Sequence, residues 1–243
     1  MMHHPSQHLE LTGTFPVITI TFQPGSYDVP VAFNSTDGIV IGNCTLRHVA
    51  SVPGTVTLNA QQPHIEEQIL PIYGLSEDAT GVNTTVEFSG MRFAFRANTM
   101  FAIRLDGVNP LMNITDCTFV GGGTATRIAF HVGTDSKDAP RAATLVVTRT
   151  LFTEIQQDLT GYGLTRVVVT GGGSHRCYRW YSALVRAESG NLTVEDWEVT
   201  GAADSAGPVI QHLNTYTDGI NGPKITAFWV TGATITNVSV KGK

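Results

Sequence analysis

One short phrase recurs along the chain: two apolar residues spaced one apart, a turn residue, and another apolar residue three positions on. It reads Ile39-x-Ile41-x-Asn43-x-x-Leu46, Val86-x-Phe88-x-Gly90-x-x-Phe93 and Met112-x-Ile114-x-Asp116-x-x-Phe119. It continues as Leu145-x-Val147-x-Arg149-x-x-Phe152, Val167-x-Val169-x-Gly171, Leu192-x-Val194-x-Asp196-x-x-Val199 and Ala233-x-Ile235-x-Asn237-x-x-Val240. Apolar residues at a period of two turn one strand face inward. Gly, Asn and Asp tolerate a left-handed backbone, which bends a strand sharply without a loop. The residue three positions on then enters the same core from the next strand. Arg149 is the one member of this bend column without that tolerance.

Phrases in the middle of the chain lie 22 to 33 residues apart, enough for three short strands and variable loops. A second strand set follows several of them, at residues 101–105, 127–132, 183–187 and 208–213. The repeat therefore predicts an all-β fold, a single-stranded right-handed parallel β-helix (solenoid) of about 7–9 coils. At the usual strand spacing such a rod is about 35–40 Å long. Residues 15–243 form this one domain, with residues 1–14 as a flexible or capping extension. A β-sandwich is the competing reading, but Asn-Gly and Asp-Gly turns between paired apolar runs are scarce.

Composition agrees. Apolar residues make up 42% and charged residues only 14%, which suits short strands and tight turns. Net charge is −5 without a basic run, so nucleic acid is excluded as a partner. No apolar stretch approaches the length of a membrane span. The start, Met1-Met2-His3-His4-Pro5, has no charged and apolar leader. Export by a non-classical route, or a missing original N-terminus, is the expectation. No metal site or cofactor is expected, because Cys44, Cys117 and Cys177 form no Cys/His cluster.

The segment Ile18-Thr-Ile-Thr-Phe22-Gln-Pro24-Gly25-Ser-Tyr27 resembles the entry coil of the pectin-lyase-like right-handed parallel β-helix superfamily. Asn43-Cys44-Thr45-Leu46 and Asp116-Cys117-Thr118-Phe119 resemble rungs of its surface-adhesin and tailspike members. The resemblance covers about residue 15 to the end. It implies a fold that hosts lyases, hydrolases, adhesins and tailspikes alike, so it implies no particular reaction.

No catalytic constellation is legible. Asn214-Thr-Tyr-Thr-Asp218-Gly219 loosely resembles a polygalacturonase element, but the paired acids expected downstream are absent, and a polar turn explains it better. Alternation in the second strand set turns Arg104, Asp106, His131, Arg186 and Glu188 outward, with Gln211 in line. Stacking gathers them into a polar stripe suited to sugar hydroxyls or a protein partner, or simply to solvent. Six Asn-x-Ser/Thr triplets occur, at Asn34, Asn43, Asn83, Asn113, Asn191 and Asn237, against about two from composition. They are glycosylation candidates, with Asn43 and Asn237 weakened by their place in the bend column. Cys44 and Cys117 take the same phase, as packed thiols.

After Val240 the chain carries Lys241-Gly242-Lys243 and no capping helix. An open strand edge invites pairing, so the expected partners are other protein subunits, in a homo- or hetero-assembly, and possibly glycans. The expected role is a non-catalytic structural or recognition module outside the cell, on its surface, in a fibre or on a virus particle. The alternative is a polysaccharide-acting lyase or hydrolase, or a tailspike-like depolymerase.

Overall fold

The structure, a computed structural model, describes residues 17–29, 44–60, 84–95, 100–105, 109–122, 126–133, 143–179, 183–201, 209–212 and 230–241. Among the described residues there is no helix, and strands joined by parallel ladders dominate. In chain order they are β1 (Val17–Phe22), β2 (Gly25–Val29), β3 (Thr45–Ala50), β4 (Val56–Ala60), β5 (Thr85–Ser89) and β6 (Met91–Phe95). Then come β7 (Met100–Leu105), β8 (Leu111–Thr115), β9 (Thr118–Val120), β10 (Arg127–Gly133), β11 (Ala143–Thr153) and β12 (Gln156–His175). The last are β13 (Tyr178–Arg179), β14 (Val185–Thr200), β15 (Ile210–His212), β16 (Val230–Thr236) and β17 (Ser239–Lys241).

Register sorts these strands into three columns. The first contains β1, β3, β5 and β8, then residues 143–148, 165–170 and 190–195 of the long strands, then β16. The second contains β2, β4, β6 and β9, then residues 150–153, 172–175 and 197–200, then β17. The third contains β7, β10, residues 156–162, then β13 and residues 185–187 on the next rung, and β15. The long strands β11, β12 and β14 are thus bent elements that pass from one column to the next.

From β5 onward the corner between the first two columns is one residue wide. Gly90, Asp116, Arg149, Gly171, Asp196 and Asn237 all have positive φ, from 46° to 68°, as the bend column predicts. Arg149 holds this conformation at φ 46°, and its guanidinium makes two hydrogen bonds to Asp116, at 2.7 and 2.8 Å. That bidentate pairing anchors the side chain where glycine would otherwise be favoured. The Arg149 guanidinium also holds the Asp116 carboxyl below the usual carboxylate range. Asn237 donates to Asp196 Oδ1 at 2.5 Å on the same line. A second left-handed corner follows at Glu154, Arg176 and Gly201, where Arg176 pairs with Glu154 at 2.9 Å.

Inward positions of the columns form continuous rows. Phe93, Phe119 and Phe152 occupy successive rungs of one row, with ring centroids 4.6 and 5.1 Å apart and nearly parallel planes. All three are buried, and removing any one costs about 3–5 kcal/mol. The next rung is Ser174, the polar break in the fifth phrase. Its hydroxyl donates to Gln157 Oε1 at 2.8 Å, and Gln157 donates in turn to the Leu184 carbonyl. The pair is fully buried and mutually satisfied.

Two expectations need correction. Leu46, placed after a bend like Phe93 and Phe119, instead pairs with Val86 in the first column. The corner after β3 is the wider Ser51–Thr55 segment, closed by Thr55 N–H and hydroxyl bonds to the Val52 carbonyl. The first phrase is therefore out of phase, and Asn43 itself lies outside the described residues. For the same reason Cys44 and Cys117 do not share a phase. Cys44 precedes the first-column strand and its carbonyl accepts from Thr85 N–H, whereas Cys117 follows the Asp116 corner.

Candidate functional site

The third column gathers the predicted stripe. Register links Arg104 to His131, His131 to Thr160, Thr160 to Arg186, and Arg186 to Gln211 in one row. The inward residues Ile128, Phe130 and Val132 of β10, with Leu159 and Val185 beside them, are buried. Alternation therefore sends His131, Thr160 and Arg186 to the opposite face. Asp106 lies outside the described residues. Glu188 lies on β14, beyond the residues of that strand that pair with β15.

Three residues absent from the predicted stripe, Asp158, Thr160 and Tyr162, complete the cluster. Asp158, two positions before Thr160, is only 3% exposed. Its Oδ2 meets His131 Nε2 at 3.0 Å, and its Oδ1 accepts the Thr160 hydroxyl. The contact sets the ring: Nε2 carries the proton toward the carboxylate, leaving Nδ1 as the other ring site. The Tyr162 ring stands edge-on to His131, with centroids 5.3 Å apart. Gly133, at φ 135°, makes that approach possible, because a Cβ there would overlap the Tyr162 carbonyl. On the last rung, Gln211 Oε1 is buried without a hydrogen-bond partner.

The sequence hid Asp158 because Gln157 interrupts the inward alternation of residues 155–161. Residues 156–162 consequently did not register as a third-column strand. The signal was available in length: only 22 residues separate Thr148 from Thr170, which face each other across neighbouring rungs. That passage has no room for loops, so residues 156–162 must run straight through the column.

The sequons divide. Asn191 is exposed on the outer face of the first column. Asn113, on the same face, accepts the hydroxyl of its own sequon threonine, Thr115, at 3.0 Å. Asn237 is engaged with Asp196 at the corner. Asn34, Asn43 and Asn83 lie outside the described residues, as does Asp218. Cys44, Cys117 and Cys177 are free and buried, and burial pushes the Cys117 and Cys177 thiols up to about 12. Among the described residues no group of three His, Cys, Asp or Glu side chains is placed to hold a metal ion, and no helix is long and apolar enough to cross a membrane.

Comparison with family models, with curated proteins and with solved structures finds no match for this chain.

Proposed function

We propose that the chain is a right-handed parallel β-helix of about seven to nine coils, of the pectin-lyase-like kind. In this reading it serves as a non-catalytic structural or recognition module in a surface or extracellular assembly. The observation that carries the recognition role is the outer row of the third column, where His131, Arg186 and Gln211 are half-buried and reach the surface while Thr160 and Asp158 support them from beneath. Ladder hydrogen bonds fix its backbone, so a ligand meets side chains already in place and loses less freedom on binding. Arg186 and Gln211 stand on adjacent rungs and both are half-buried, so a guanidinium and a carboxamide lie side by side at this face. A sugar hydroxyl accepts from one and donates to the other.

An array of extracellular polysaccharides, followed by titration calorimetry, tests this. Gln211→Leu is expected to weaken the best ligand about tenfold while leaving the melting temperature unchanged. Absence of any saturable glycan binding by the wild-type chain overturns the recognition role.

The Asp158–His131 pair favours a second reading, a polysaccharide-acting enzyme. A buried carboxylate on one ring nitrogen orients the other as a general base. Release of unsaturated products or reducing ends from acidic polysaccharides, lost in His131→Gln, supports that reading. Extracellular placement supports glycosylation as well, with Asn113, Asn191 and Asn237 as the acceptors among the described residues.

A further inference from the structure

The first and last rungs of the first column present the same row to solvent. Register runs Ile20, His48, Phe88, Ile114, Val147, Val169, Val194, Ile235 without a break. Phe88, Ile114, Val147, Val169 and Val194 are at most 5% exposed, but Ile20 is 41% exposed and Ile235 52%. Among the described residues the row is thus apolar throughout apart from His48, and its first and last positions are the exposed ones.

A second row carries opposite charges at its ends. It runs Asp28, Asn59, Ala94, Val120, Thr153, His175, Thr200, Lys241. Asp28 stands on the first rung of the second column and Lys241 on the last. All strands of a column are parallel, so each end strand offers a ladder edge in the orientation that the opposite end accepts.

We propose that these two ends bind each other: the last rung of one copy of this chain seats on the first rung of a second copy. Ile235 then packs on Ile20 as Val194 packs on Ile235, and the register position of Lys241 falls next in line to that of Asp28. The contact is heterologous and leaves an open end on each partner, so the product is a linear stack that grows by addition. This rests on the assembly part of the function proposed above and is independent of the third-column row.

The test uses the full chain, with Ile20→Lys and Ile235→Lys as variants. Wild-type protein is expected to gain mass with concentration in sedimentation velocity, and to form rods that lengthen without thickening in electron micrographs. Each variant, folded by circular dichroism and melting temperature, stays monomeric. Mixed together the two form a dimer and stop there, because the mixture contains one intact pair of ends. Lys241→Asp weakens stacking about tenfold, and the added change Asp28→Lys restores it. A wild-type chain that stays monomeric at high concentration overturns the proposal, as does a mixture that yields no dimer. Glycan binding measured on the same monomer then reports separately on the recognition role.

Discussion

The outer faces of the first and third columns obey the same alternation and end in different environments. On the first column, Thr144, Val146 and Thr148 are half-buried and Arg166 is exposed. On the third, Ala129, Asp158, Thr160 and Leu184 are buried to 3% exposure or less. Alternation assigns a side chain to a face of the sheet; whether that face meets water depends on what lies over it. A polar residue turned outward is therefore inexpensive on the first column. On the third it needs a partner, and Asp158 has two.

The largest expected effect lies on the covered face. Asp158→Ala leaves His131 and Thr160 facing a void and should cost about 3 kcal/mol in urea unfolding, the scale of breaking a buried pair. A loss below about 1 kcal/mol would place Asp158 in the solvated class and erase the contrast. The inner face gives the next effect. His48 stacks on Phe88 at 4.7 Å, and burial lowers its pKa below 6.5. The unfolded chain then takes up the proton first, so stability is full above pH 6.5 and falls as pH drops toward the folded value. His48→Phe should raise the melting temperature over wild type by a margin that widens between pH 7 and pH 5. A constant margin breaks the assignment.

On the open face the effects shrink. Thr148→Val should change stability by no more than about 0.5 kcal/mol, although Thr148 holds the corresponding outward place in its strand. The smallest effect belongs to the exposed corner. The Asp116 carboxyl is held below 3.8 by Arg149, so its contribution is present above that pH and is lost as pH falls through the folded value. Salt screens it as well. Asp116→Asn should flatten the acid limb of the stability curve slightly at low ionic strength and leave it unchanged in high salt.

The same contrast explains what the sequence reveals. Gly90, Asp116, Gly171, Asp196 and Asn237 identify the first corner because their backbone tolerance is local and chemical. Arg149 belongs there through a partner one rung away, which no local rule reports. Leu46 was misplaced because its own strand reads Leu46-x-His48, a broken alternation, and the corner that follows at Ser51–Thr55 lacks the single turn residue of the phrase. The alignment of Arg104, His131, Arg186 and Gln211 was legible from alternation and spacing, but Thr160 between them was not. Asp158 was not: its importance comes from burial on a face that alternation marks as outward.

The one-residue corner has a further consequence for how this chain accommodates changes in length. Asp116 and Arg149 are 33 residues apart and Asp196 and Asn237 are 41 apart, yet both pairs touch. A corner with no slack keeps the rungs from β5 onward aligned, so surplus sequence is expelled to other parts of the circuit. An insertion at Asp116 or Gly171 would push each downstream side chain to the wrong face. The same insertion between the third column and the next first-column strand shifts nothing that is stacked. The corner thus acts as a datum line, and foreign peptides are best grafted on the opposite side of the cross-section.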